Sequence, residues 1–127
     1  MADILLIDDE EIFREVLAAA LTQAGHTVRQ AGDGFVGLKL FRERPAELVI
    51  TDIVMPEKEG LDTIRDLHRD FPDARIIAMS GGLAHDSKLY LHMAEKFGAA
   101  AVLPKPFSLA DLHQTVNTVL AAPNRAD

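Results

Sequence analysis

The feature that most constrains this chain is an alternation of two hydrophobic periodicities along its 127 residues. Short apolar runs rich in leucine and β-branched residues occupy Ile4 to Ile7, Leu48 to Thr51, Arg75 to Met79 and Ala100 to Leu103, with a weaker run at Thr27 to Ala31. Their continuous apolar character predicts strands covered on both faces. Between them the spacing becomes helical. Ile12, Phe13, Val16, Leu17, Ala20, Leu21 and Ala24 form an i, i+4 stripe that ends at Gly25, a residue suited to follow a helix. Leu61, Ile64, Leu67 and Phe71 repeat the pattern, as do Leu89, Met93 and Phe97, and then Leu109, Leu112, Val116, Val119 and Leu120. Gly34 to Arg44 is also read as a helix, although Gly34 and Gly37 weaken it. Ser108 with Asp111 three positions on predicts a capping box for the last helix. Strands alternating with helices imply parallel crossovers, so the expected fold is α/β: five βα units wound around a five-stranded parallel sheet.

Composition narrows the function. Hydrophobic residues make up 48% of the chain and charged residues 26%, which suits one compact domain with a real core. No internal repeat or linker divides it; the domain is expected over 1–122, with 123–127 a short tail. Thirteen basic against 20 acidic residues leave a net charge of −7, a field that repels a phosphate backbone, so nucleic acid is not an expected direct partner. The absence of cysteine excludes disulfides, thiolate metal sites and a thiol nucleophile. Apolar runs such as Val16 to Leu21 and Phe97 to Leu103 fall far short of the roughly 18 residues of a membrane span. No basic segment precedes the first apolar run, so a cleaved signal is not expected and a cytoplasmic location is.

In an open parallel sheet, ligands bind beyond the carboxyl ends of the strands. The first strand delivers Asp8 and Asp9 there, the third Asp52, the fourth Ser80 followed by Gly81 and Gly82, and the fifth is followed by Lys105. Gly32, Asp33 and Gly34 after the second strand read as a turn without a chemical role. Three carboxylates crowded at one rim repel one another, and a single lysine does not neutralise them, so a divalent cation is the natural counter-charge. Oxygen-only ligands favour Mg2+, with Mn2+ as the alternative, over zinc. A phosphoryl group set among that cation, Ser80 and Lys105 would have its oxygens charge-compensated, and Asp52 is the carboxylate left to attack phosphorus.

Asp8-Asp9, Asp52 with Met55-Pro56 three residues on, Ser80-Gly81 and Lys105-Pro106-Phe107, in this order and on these strand ends, resemble the receiver domain of two-component response regulators, over nearly the whole chain. The resemblance implies a flavodoxin-like (βα)5 sandwich with strand order 2-1-3-4-5. It also implies that Asp52 accepts a phosphoryl group from a phosphohistidine on a sensor histidine kinase or histidine phosphotransfer protein, and that the receiver itself catalyses the transfer. By the same resemblance Asp9 binds Mg2+ directly, Asp8 helps through water, and the Val54 carbonyl adds a ligand. Ser80 and Lys105 hold phosphoryl oxygens, and the Lys105-Pro106 bond is cis. The output is then a contact with a downstream protein or onward relay, from a monomer or weak homodimer. One departure concerns the switch formed by Ser80 and position 102. Many receivers carry Tyr or Phe there, but this chain has Val102, so a signal must travel through the Ser80 loop, Gly81-Gly82 and the fourth helix. Glu59 where the family often has Asp before Gly60 reads as neutral.

Blander readings exist for each residue. Asp8 and Asp9 suit a helix start, Asp52 a turn before Pro56, Ser80 a glycine turn and Lys105 a solvated loop. Together on adjacent strand ends they favour the chemical reading. His26, His68, His85, His92 and His113 are scattered and read as surface or packing residues. Rival functions are a receiver-like module that is never phosphorylated, a haloacid-dehalogenase-type phosphatase and a flavin nucleotide carrier. The phosphatase wants Asp-x-Asp after the first strand and a cap insertion. The carrier wants a hydroxyl- and glycine-rich loop where this chain has acids.

Overall fold

The computed structural model describes residues 1–53, 60–80 and 87–123, with the side chains of 87–91 left aside. The strands are β1 (Asp3–Ile7), β2 (Thr27–Ala31), β3 (Leu48–Asp52), β4 (Ile76–Ser80) and β5 (Ala101–Pro104). They alternate with the helices α1 (Glu11–Gln23), α2 (Gly34–Glu43), α3 (Gly60–Asp70), α4 (Ser87–Phe97) and α5 (Leu109–Ala121). All four strand pairings are parallel, and the order across the sheet is β2-β1-β3-β4-β5. This is the doubly wound (βα)5 sandwich expected from the alternation. Among the described residues, no helix is long and apolar enough to cross a membrane.

The period-2 alternation of each strand sorts its side chains into two cores. Leu5, Ile7 and Val49 face a layer built from Leu38 and Phe41 of α2, Leu61, Ile64 and Leu67 of α3, and Ala94 of α4. Ile4, Leu6, Leu48 and Ile50 face the opposite layer, where Leu17 and Leu21 of α1 meet Leu112 and Val116 of α5. Strands β3 and β4 are therefore buried along their whole length, which is why they read as unbroken apolar runs. The edge strand β2 is only partly covered, and its polar residues are used rather than wasted. Arg29 donates to the carbonyls of Leu40 (3.1 Å) and Arg44 (2.8 Å) at the end of α2, and Gln30 accepts from Arg14 of α1 at 3.0 Å.

Some local expectations are corrected. Ile12 and Val16 do not belong to the buried stripe of α1: they are 80% and 52% exposed, and Leu17, Ala18, Ala20 and Leu21 carry the contact instead. Leu109 is likewise exposed, so the buried face of α5 begins at Leu112. Gly37, a poor helix former, has a packing role in α2 that the sequence did not show: it lets the helix lie on β1, because a Cβ there would stand 2.9 Å from Ile7 Cγ1. Asp33, read as a plain turn residue, caps α2 by accepting from Val36 N–H at 2.9 Å. The Ser108–Asp111 capping box is present with both of its bonds, at 3.0 and 3.5 Å. Met55, Pro56, Glu59, Gly81, Gly82, His85 and 124–127 lie outside the described residues, as do the side chains of Leu89 and Tyr90.

The amino end of the sheet is fastened by a histidine. His26 Nδ1 accepts from Ala2 N–H at 3.1 Å, while Thr27 N–H donates to the Ala2 carbonyl at 2.9 Å. An accepting Nδ1 requires the neutral ring. Burial, the Met1 α-ammonium and His113 hold the ring's pKa below the usual 6.5, against an upward pull from Glu47. The unfolded chain thus takes up this proton at a higher pH than the folded one. The histidine's contribution is complete above the unfolded value and is lost as pH falls through the lower folded value. Wild type should therefore lose urea stability relative to His26→Gln as pH falls from about 7 to about 5.5, and the gap between the two should be independent of pH above about 7.

Candidate functional site

The register of the sheet assembles the site. Ile7 pairs with Thr51, so the next residues, Asp8 and Asp52, stand side by side at the carboxyl ends of β1 and β3. These two strands are neighbours whose following helices pack on opposite faces of the sheet, the arrangement that opens a crevice. The ladder continues past both acids: Asp8 N–H donates to Ala31 at 3.1 Å and Ile53 N–H to Met79 at 2.9 Å. On the other side, Asp52 pairs with Met79, and Ser80 ends β4 beside it. Lys105 follows β5, its N–H donating to the Ser80 carbonyl at 2.9 Å, and the Lys105–Pro106 peptide bond is cis.

Asp8, Asp52 and Ser80 are buried, at 0%, 5% and 1% exposure, while Asp9 is exposed. Lys105 Nζ lies 3.2 Å from Asp8 Oδ2 and 3.2 Å from Asp52 Oδ2, so one ammonium is shared between the two buried carboxylates. Burial alone disfavours that ammonium, but the charges of Asp52 and Asp8 and their hydrogen bonds outweigh the burial and hold its pKa above the usual 10.5. Asp8 is fixed further: its Oδ1 accepts from Glu10 N–H at 2.9 Å and its carbonyl accepts from Arg14 at 2.7 Å. The bland reading of Asp8 thus holds in part, since it does order the chain entering α1, while its second oxygen faces the site.

Carboxylate oxygens of Asp8, Asp9 and Asp52 lie within 4.8 Å of one another. Among the described residues one ammonium faces these three carboxylates, and the donors are oxygens only, so the set suits a hard cation and not a thiophilic one. Val54, expected to lend its carbonyl to that ion, lies outside the described residues. Val102 sits half-buried in β5, paired with Ala78, and packs against the core layer of α2, α3 and α4. Among the described histidines, His26 lies at the amino end of the sheet, His68 and His92 are exposed, and His113 is half-buried on α5.

Three residues of the site were not singled out in the sequence. Arg14 ties α1 to the Asp8 carbonyl. Phe13, read as part of a core stripe, places its ring 4.2 Å from Lys105 Nζ. Gly60, the first residue of α3, lies against the backbone of the strand end: a Cβ there would stand 2.5 Å from Ile53 Cα and 2.7 Å from the Asp52 carbonyl carbon. A glycine opening an otherwise good helix was the available signal for this last one.

The sequence profile of the response regulator receiver domain matches residues 4–117, and the chain belongs to that family. It is 39% identical over 119 residues to the DNA-binding transcriptional regulator NtrC of Azospirillum brasilense, an alignment that covers 94% of this chain and 24% of NtrC. It is 34% identical over 126 residues to the response regulator receiver protein CpdR of Brucella abortus, covering 96% of this chain and 99% of CpdR. The crystal structure of the receiver domain of NtrX from Brucella abortus matches the fold with a TM-score of 0.88 at 28% identity, covering 95% of this chain and 100% of that one. The chain thus spans a quarter or less of several relatives and nearly all of another.

Gly60→Ala should push α3 away from the Asp52 carbonyl. The expected cost is about 1–3 kcal/mol of stability, read as a lower urea midpoint at unchanged slope, with a perturbed amide resonance at Ile53.

Proposed function

We propose that this chain is a receiver, its domain spanning 1–122, that works as a phosphorylation switch in the cytoplasm. The observation that carries the reading is the Lys105 ammonium held 3.2 Å from both Asp8 and Asp52, with Asp9 beside them. Asp52 is the phosphoacceptor. One of its carboxylate oxygens attacks phosphorus, forming a P–O bond as the P–N bond of a partner phosphohistidine breaks and the electron pair leaves on the imidazole. The partner is a sensor histidine kinase or a histidine phosphotransfer protein. Burial of Asp52 keeps bulk water from the acceptor oxygen and strengthens every charge interaction around it.

Asp8, Asp9, Asp52 and the Val54 carbonyl are the residues to hold Mg2+, or Mn2+ in its place, and the bound ion supplies charge compensation for the phosphoryl oxygens. Lys105 releases its bond to Asp52 Oδ2 and takes up a phosphoryl oxygen, as a positive charge already aimed at the place where negative charge arrives. The Ser80 hydroxyl, at the neighbouring strand end, donates to another. The chain thereby catalyses its own phosphorylation, and attack of water on the same phosphorus breaks the P–O bond to Asp52, releasing inorganic phosphate and restoring the carboxylate. With Val102 in the switch strand there is no ring to swing, so the change at Ser80 passes into the segment that follows it. The output is contact with a downstream protein or transfer to a further histidine.

Incubation with acetyl phosphate and Mg2+ should add one phosphate-sized mass to the intact protein, and Asp52→Asn should add none. Lys105→Ala should slow the labelling about a hundredfold, and chelating the divalent ion should suppress it. An unlabelled wild type would instead mark the chain as a receiver-shaped interaction module. Full labelling of Asp52→Asn would move the nucleophile elsewhere.

A further inference from the structure

The described part of α1 contains an aromatic residue that the mechanism above does not use. Phe13 is half-buried and packs against the core layer shared by α1 and α5, while its neighbours on the expected stripe, Ile12 and Val16, are exposed. Its ring thus lies at the edge of that layer, next to the site. Lys105 Nζ stands 4.2 Å from the ring centroid, within the range where the ring quadrupole attracts an ammonium. The ring is in turn met edge-on by Phe107, at 6.0 Å between centroids and 72° between planes, and Phe107 follows Lys105 by two residues. The ammonium is thus held on three sides, by two carboxylate oxygens and one π face.

The three contacts differ in what they do when a phosphoryl group arrives. The ion pair with Asp52 is given up, because that carboxylate becomes an acyl phosphate, a mixed anhydride, and loses its negative charge. The bond to Asp8 competes with any cation that Asp8 helps to hold. The Phe13 ring takes part in neither event. An uncharged ring also attracts the ammonium without neutralising it, so the full positive charge stays available to the phosphoryl oxygen, and the apolar ring excludes water from that side.

We propose that Phe13 is a positioning residue for phosphoryl transfer, keeping the Lys105 ammonium over the acceptor while its carboxylate partners change. The proposal rests on the reading of Asp52 as the phosphoacceptor. Phe13→Leu keeps an apolar side chain of similar reach but removes the π face, whereas Phe13→Tyr keeps it. With acetyl phosphate and Mg2+, Phe13→Leu should label Asp52 about fivefold more slowly than wild type, equivalent to about 1 kcal/mol, and should lose the phosphoryl group more slowly by a similar factor. Phe13→Tyr should stay within about twofold of wild type. The ring-current shift of the Lys105 side-chain methylene protons, read by NMR without phosphorylation, should persist in Phe13→Tyr and vanish in Phe13→Leu. Thermal unfolding of each variant reports folding, and Phe13→Met replaces Phe13→Leu should the latter fail to fold.

Labelling of Phe13→Leu at the wild-type rate, or equal slowing in Phe13→Leu and Phe13→Tyr, overturns the proposal while leaving the phosphoacceptor reading intact. Absence of a ring-current shift in wild type overturns it as well. A wild type that takes no label, with the ring-current shift present, sinks the phosphoacceptor reading and this role with it.

Discussion

A single ammonium shared by two buried carboxylates is the interaction on which the site depends. Asp8 and Asp52 are both shielded from water, and their charges lie on adjacent strand ends where they repel each other at short range. Lys105, 3.2 Å from each, offsets that repulsion, and the charges of Asp52 and Asp8 outweigh the burial of the ammonium and hold its pKa above the usual value. The compensation is incomplete because Asp9 belongs to the same cluster. Among the described residues the carboxylates outnumber the ammonium, and that ammonium is already oriented toward them, an arrangement whose electrostatics suit an added hard cation.

Backbone hydrogen bonding sets this geometry more firmly than the side chains do. The register that pairs Ile7 with Thr51 carries Asp8 next to Asp52, and the bond from Lys105 N–H to the Ser80 carbonyl brings the lysine backbone against the neighbouring strand end. Behind these ends, two apolar layers clamp the sheet. They are made of alternate residues of the same strands, so a shift of one residue in register would send every side chain into the opposite layer and break the packing of both. The energetic penalty for misregister is therefore paid by leucines and isoleucines, while the benefit appears at the acids. Gly60 adds a local constraint of the same kind, since α3 can start against the Asp52 carbonyl only where no Cβ intervenes.

Much of the fold was legible in the residues, for a reason that also explains the errors. Periodicity reports which side of an element meets apolar surroundings, and a central strand buried on both faces, such as Ile76–Ser80, is unmistakable. Periodicity does not report how far along a helix the covering layer extends. Nor does it fix the width of the covered strip: Ile12 and Val16 satisfy the spacing of α1 yet lie beside the face that Phe13, Leu17 and Leu21 turn to the core, and Leu109 is exposed at the start of α5. Gly37 was read as a weakness because its value lies in the approach of another element, Ile7 of β1, which no local pattern contains. Asp33 and Arg14 escaped notice for a related reason: each acts on a backbone group, and every residue has one.

By itself, the order of residues determined the strands and helices, the two-sided burial of the central strands, and the set of acids, serine and lysine that the strand ends would carry, because these follow from local spacing and from where parallel strands terminate. Only the tertiary structure decided that Lys105 reaches across 97 residues to Asp8 and 53 to Asp52 at equal distance, and that Phe13 lies over its ammonium. Those contacts depend on how strands pair and at what height a helix rests on the sheet. Both are settled by the packing of the two apolar layers as a whole, and no single segment encodes them.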